Sequence, residues 1–152
     1  MEPEGMPRLT FGIPRVLDMY ENFPFWSTFL VACGFRVVLS GPSGEKLFEK
    51  GVGTVMSDNV CFPAKLAHGH VMDLIAKEVD MIFYPTVVYD HQEYPHALNS
   101  YNCPIVTGYP HVIRSAVNPE GEHGIPLDSP VISFKDQELL KKQLYVFLKP
   151  FG

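Results

Sequence analysis

The chain has 152 residues, 46% of them hydrophobic and 19% charged, with 14 prolines, 12 glycines, three cysteines and a formal net charge of −5. That length buries a core without staples, and the absence of a lysine/arginine block argues against nucleic acid, since phosphate binding needs concentrated positive charge. The longest apolar stretch, residues 23–33, is about half the ~20 residues a spanning helix needs, and no basic segment followed by an apolar run opens the chain, so neither membrane nor signal peptide is expected.

Residues 1–7 hold two prolines, two glutamates and a glycine and read as a flexible lead-in; residues 8–152 read as a single α/β domain. Leu9-Thr10-Phe11-Gly12-Ile13 is a β-prone run ended by Pro14. Over residues 24–33, Trp26, Phe29, Leu30 and Cys33 recur at helical spacing before Gly34, which places Cys33 in the core. Residues 35–40 supply a second strand, Gly41-Pro42-Ser43-Gly44 a turn, and residues 45–50 a short helix closed by Gly51.

Residues 64–78 read as a helix with Pro63 near its first position, where a missing N–H costs nothing, and residues 80–84 as a strand ended by Pro85. A polar and aromatic loop is expected over 87–102, a fourth strand over 105–107, a short helix over 111–117 begun by Pro110, and a long surface connection over 118–130. A last strand covers 131–134. The final helix, 135–149, presents Leu139, Leu140, Leu144, Phe147 and Leu148 inward until Pro150 stops it.

Strands alternating with helices predict a three-layer, mainly parallel sheet with helices on both faces, Rossmann-like or flavodoxin-like, with Phe11, Val37, Val38, Ile82, Phe83, Ile105 and Val106 in its core strands. The chain ends soon after the last predicted helix, as expected of a domain excised from a larger multidomain protein.

In such a sheet ligands sit outside the carboxyl ends of the strands. Gly12-Ile13-Pro14-Arg15, Tyr84-Pro85-Thr86 and Thr107-Gly108-Tyr109-Pro110 map there, so Pro14, Arg15, Tyr84, Thr86 and Tyr109 are candidates to line one crevice; the competing reading takes these glycines and prolines as plain turn residues. Cys61, two positions before Pro63, falls at the positive end of a helix dipole, where thiolate is favoured, and Lys65 adds positive charge one turn on. This suits a metal-ligating or redox thiolate, against the commoner fate of an inert buried cysteine.

Cys103 is a candidate second ligand. As the amino edge of a strand over 105–107, however, it would lie roughly 10–13 Å from the carboxyl edge where Cys61 belongs. His68-Gly69-His70 lacks the i, i+4 spacing of a helical zinc pair, which favours a solvated or packing role, and His91, His96 and His111 read as loop residues. No phosphate-cradling glycine loop or serine elbow occurs, so no nucleotide is expected in this domain. An odd cysteine count at wide spacing fits a reducing cytoplasm rather than a disulfide framework.

The stretch from Gly12-Ile13-Pro14-Arg15-Val16-Leu17-Asp18 through Pro24-Phe25-Trp26, then Gly34-Phe35-Arg36-Val37-Val38-Leu39-Ser40, Ser57-Asp58-Asn59-Val60-Cys61-Phe62-Pro63-Ala64-Lys65 and Tyr101-Asn102-Cys103-Pro104-Ile105-Val106, resembles the uncharacterised domain of CoA-substrate-specific enzyme activases. The resemblance runs from Arg8 to about Val117. It implies an accessory domain without turnover of its own, in a system that drives electrons with ATP to an iron–sulfur 2-hydroxyacyl-CoA dehydratase. The implied partners are other domains of the same long chain and a dehydratase-like protein.

By the same resemblance Cys61 matches a cluster-ligating cysteine, and an iron–sulfur cluster would be shared with other parts of the protein. A second ligand in such subunits follows a strand near Thr86, where relatives often read Tyr-Pro-Cys; here Tyr84-Pro85-Thr86 stands instead, and a hydroxyl does not readily replace a soft thiolate on iron. The alternative is a dehydratase-like module that binds a CoA ester or a partner protein and holds no metal.

Overall fold

The computed structural model describes residues 9–152, and the predicted lead-in over residues 1–7 lies outside them. Strand β1 (Thr10–Ile13) pairs in parallel with β2 (Arg36–Leu39), Phe11 opposite Val37, and α1 (Met19–Ala32) makes the crossover between them. After β2 the chain forms α2 (Glu45–Gly51) and α3 (Phe62–Ala76), then returns to the other side of β1 as β3 (Met81–Phe83). Beyond it come β4 (Thr86–Tyr89), α4 (Pro104–Ala116), α5 (Pro119–His123), β5 (Leu127–Asp128), β6 (Val131–Ser133) and α6 (Gln137–Leu148).

The main sheet has the order β2-β1-β3-β5, and β4 pairs in parallel with β6 as a two-stranded extension. The two pieces are one ribbon pair interrupted by proline. Pro85 and Pro130 have no N–H to give, while Tyr84 N–H still reaches Asp128 O and Thr86 N–H still reaches Pro130 O, so the ladder resumes on either side.

Alternation along β1 sorts the helices into layers. Phe11 meets Phe83, Phe147 and Phe151, and Trp26 meets Phe83 and Phe134, so α1 and α6 share one face. Gly12 points the other way, and a side chain there would press on Leu74 of α3 and on Val79. Because α4 packs on α3 and on β4, that face carries α3 and α4, and the result is the expected three-layer α/β fold. The α2–α3 contact is closer than ordinary helix packing: a Cβ on Gly51 would overlap the backbone of Gly69, and one on Gly69 the carbonyl of Leu47.

Several predicted elements are corrected. Helix α1 starts at Met19 rather than at residue 24, and Pro24 lies inside it, because the buried stripe Met19, Trp26 and Leu30 carries the helix through the lost N–H. The predicted strand over 105–107 is the first turn of α4: Pro104 fits a first-turn position, and buried Tyr109, Ile113 and Val117 recur every four residues, outweighing the β preference of Ile105-Val106-Thr107. Ile105 is therefore exposed and Val106 half-buried, outside the sheet.

Pro110 is inside α4 and does not begin a new helix, and His111 is helical rather than a loop residue. The fourth strand of the sheet is β5, within the stretch read as surface connection, which also contains α5; β4 occupies the start of the predicted loop. Val37 and Val38 are only half-buried, since β2 is an edge strand. Cys33 caps the carboxyl end of α1 and is exposed, not core, and Leu139 on α6 is exposed while Phe147 is buried. Among the described residues no helix is long and apolar enough to cross a membrane.

Candidate functional site

Cys61 and Cys103 occupy equivalent local positions. Each is the N-cap of a long helix, α3 and α4 respectively, each has extended ψ (148° and 133°), and each is followed by a proline in the first turn. Neither side chain caps its own helix, and both residues are exposed. An N-cap sits at the positive end of the helix dipole. Cys33 lies at the opposite pole, the carboxyl end of α1, and partial desolvation raises its thiol pKa although the residue is exposed by area.

With residues 105–107 in α4, Cys103 stands at the amino end of a helix and not at the amino edge of a strand. A cavity of about 410 Å³ is lined by Val60, the residue before Cys61, and by Pro104 and Ile105, which follow Cys103, together with Met56, His68 and Tyr109. The cysteines do not line the cavity themselves, but chain neighbours of both do, at the amino ends of two packed helices. Among the described residues no group of three or more His, Cys, Asp or Glu gathers that could hold a metal ion. A larger groove of about 510 Å³, along α6 and β6, contains no cysteine or histidine.

The floor of the cysteine cavity is a hydrogen-bonded chain whose proton order follows from its ends. Thr54 Oγ1 donates to Gly51 O (2.8 Å), which leaves it to accept from His68 Nδ1–H (2.8 Å); His68 Nε2 then accepts from Tyr109 O–H (2.9 Å). His68 is consequently neutral, and burial lowers its pKa in agreement. Burial first, and then the negative charge of nearby Cys61, raise Tyr109. The Tyr109 hydroxyl, held by His68, thus lies in the cavity wall within electrostatic reach of Cys61.

His70, two residues on, serves another network. Its Nδ1 meets Ser40 Oγ at 2.6 Å and its Nε2 meets Ser43 Oγ at 2.9 Å. Burial, with Arg15 next, pushes it down to about 4, so it is neutral at physiological pH. Burial alone would raise neighbouring Asp73, but Lys50, Lys77 and the Gly41 N–H bond it and hold it well below the usual carboxylate range. Both histidines are buried packing residues.

The other predicted crevice residues do not all reach this cavity. Pro14 and Arg15 follow β1, where Arg15 N–H donates to Ser40 Oγ and its Nε to Ser40 O, with the guanidinium 5.8 Å from the Phe23 ring centre. Tyr84 is fully buried at the end of β3. Thr86 is inside β4 with its hydroxyl 2.8 Å from Ser129 Oγ and 3.3 Å from His111 Nε2, a sheet-bridging arrangement. Lys65 stands one turn above Cys61, its ammonium donating to Asp58 O at 2.8 Å.

Sequence reasoning set His68 aside and passed over Asp18, Asn22 and Asn102, all of which hold polar atoms in the interior. The i, i+4, i+8 spacing of Asp18, Asn22 and Trp26 was the available signal.

The family model for the CoA enzyme activase uncharacterised domain matches residues 10–152. No curated protein and no solved structure matches the chain.

Proposed function

This chain belongs to the CoA enzyme activase uncharacterised domain family, and from that premise we propose that it is an accessory domain assisting ATP-driven electron transfer to an iron–sulfur 2-hydroxyacyl-CoA dehydratase system. Its own contribution is a pair of thiolates, Cys61 and Cys103, to a cluster whose remaining ligands come from other parts of the long protein. The observation that supports this best is that both are exposed N-cap cysteines and that their chain neighbours, Val60 and Pro104, line one cavity.

When bound, an iron–sulfur cluster supplies one-electron transfer. The chain's residues would do the rest. Cys61 and Cys103 would hold iron from the amino ends of α3 and α4, Met56, Val60 and Ile105 give the cavity an apolar wall, and the Tyr109 hydroxyl, its proton committed to His68 Nε2, adds one fixed polar group to that wall. Thr86 takes no part, because its hydroxyl is engaged in the sheet.

The same cavity supports a second reading, a metal-free module binding a CoA ester or a partner protein, since apolar clefts with a few oriented polar groups are ordinary ligand sites. Iron and sulfide analysis after anaerobic reconstitution separates the two. Stoichiometric iron and sulfide, lost in Cys61→Ala, supports the cluster; no cluster, with partner binding retained, supports the metal-free module.

A further inference from the structure

We infer that the switch point of the sheet is a second site, separate from the cysteine cavity, which binds the carboxyl group of a small organic acid through Asp18, Asn22, Trp26 and Tyr84 beneath the loop 90–102. The topology supplies the place. From β1 the chain crosses by α1 to β2 on one side, and from β3 and β4 it crosses by α4 to β5 on the other. Connections that part in this way open a crevice at the carboxyl ends of the two central strands, where open α/β sheets take their ligands.

Polar atoms without hydrogen-bond partners lie on the segments around that place. Asp18, Asn22 and Trp26 lie on one face of the α1 segment at successive turns, and each carries a buried atom with no hydrogen-bond partner: Oδ2, Nδ2 and Nε1. The Tyr84 hydroxyl is a fourth, at the end of β3, within electrostatic reach of Asp18. Ser100 Oγ and Asn102 Nδ2, on the returning arm of the loop after β4, are two more. Trp26 and Tyr84 are both 0% exposed. A buried polar group left unpaired costs roughly 1–3 kcal/mol, so a set of them on neighbouring segments marks where a ligand or an ordered water would be held.

The chemistry of the set selects the ligand. Three of the six atoms are N–H donors, two are hydroxyls and one is a carboxyl oxygen, so the partner must be rich in acceptors, which excludes a cation and suits a carboxylate. Asp18 completes the match in its protonated form. Burial first, then the facing charge of Asp90, raise it to about 7, while the backbone N–H groups of Asp18 and Met19 pull the other way and the Tyr84 hydroxyl faces it from β3. A carboxylic acid beside a carboxylate shares its proton, and with Asp90 near by, a ligand anion is accepted only if Asp18 keeps that proton.

Access is through the loop 90–102. Residues 91–99 are all exposed, Leu98 fully so. The loop is held by the Tyr89–Tyr101 hydroxyl pair (2.7 Å), backbone bonds from Asp90 to Ser100 and from Asn102 to Val88, and the stacking of His91 on Phe134. So few buried contacts make it a cover that opens at low cost.

Trp26 is the single tryptophan of the chain and part of the site, so its fluorescence reports binding directly. The probes are acetate and its uncharged isostere acetamide, titrated at pH 6 and pH 8 at constant ionic strength. Acetate should give a saturable change whose dissociation constant is about tenfold weaker at pH 8, since Asp18 must be protonated first. Asp18→Asn should abolish that pH dependence, and Tyr84→Phe, which keeps the ring and deletes one donor, should weaken acetate binding at pH 6. No saturable response to acetate, an affinity indifferent to pH, a pH dependence that survives in Asp18→Asn, or acetamide binding as tightly as acetate at pH 6 would each overturn the inference.

Discussion

Replacing Asp18 with asparagine should stabilise the protein at pH 8 and do so far less at pH 5. The wild-type carboxyl is raised from an ordinary 3.8 to about 7 by burial and by Asp90. Between those two values the folded chain holds a proton that the unfolded chain has released, so stability falls as pH rises, by about 1.4 kcal/mol per unit. From pH 5 to pH 8 this amounts to about 2–3 kcal/mol, which asparagine, having no charge to desolvate, does not lose. For a domain of this size the variant's advantage in Tm should therefore widen by roughly 5–10 °C over that range. His70 works in the opposite direction, but it is present in both proteins and cancels in the difference. Thermal melts of both proteins at the two pH values make the test. An advantage that does not widen toward pH 8, or a wild type more stable than the variant there, refutes the assignment of Asp18 as a buried, charge-strained carboxyl.

His70, held neutral at about 4 against an ordinary 6.5, contributes stability that is fully present above pH 6.5 and lost as pH falls toward 4. Urea titrations should show the stability of wild type relative to His70→Gln falling by about 2 kcal/mol between pH 7 and pH 5, the opposing contribution of Asp18 cancelling because both proteins carry it. Ile82→Ala, in the centre of β3 and fully buried, should cost about 2–5 kcal/mol in the same assay. Gly69→Ala should cost about 1–3 kcal/mol or more by pushing α3 off the Leu47 carbonyl, whereas Gly53→Ala, with open space around its Cβ position, should be nearly neutral.

Elements governed by local chemistry were legible from the residues alone. Pro63 before an apolar helix pattern, Gly51 at a helix end and the β-prone run ending at Pro14 all mark real boundaries of α3, α2 and β1 within a residue or two. Residues 105–107 were misread because Ile-Val-Thr favours a strand locally, and only packing on α3 and β4 decides otherwise. That single error put Cys103 at a strand edge; with α4 a helix, both cysteines are N-caps whose chain neighbours line one cavity. Cys33 fits the spacing of Trp26 and Phe29, yet α1 ends at Ala32, and the cap position turns it outward. The Asp18 cluster was hidden for a different reason: Tyr84, Asp90, Ser100 and Asn102 come from distant turns of the chain, and no window of sequence contains them together.

The pairing of Cys61 with Cys103 as cluster ligands is tested most directly by asking which thiols a cluster protects. The chain is reconstituted anaerobically with iron and sulfide, an exogenous thiol completing the coordination, and alkylated beside a metal-free control with the three cysteines mapped by mass spectrometry. Loading should shield Cys61 and Cys103 together and leave Cys33, at the far pole of α1, as reactive as before. Loading that shields only one of the pair, that shields Cys33 equally, or that leaves Cys61 alkylated at its metal-free rate would contradict it.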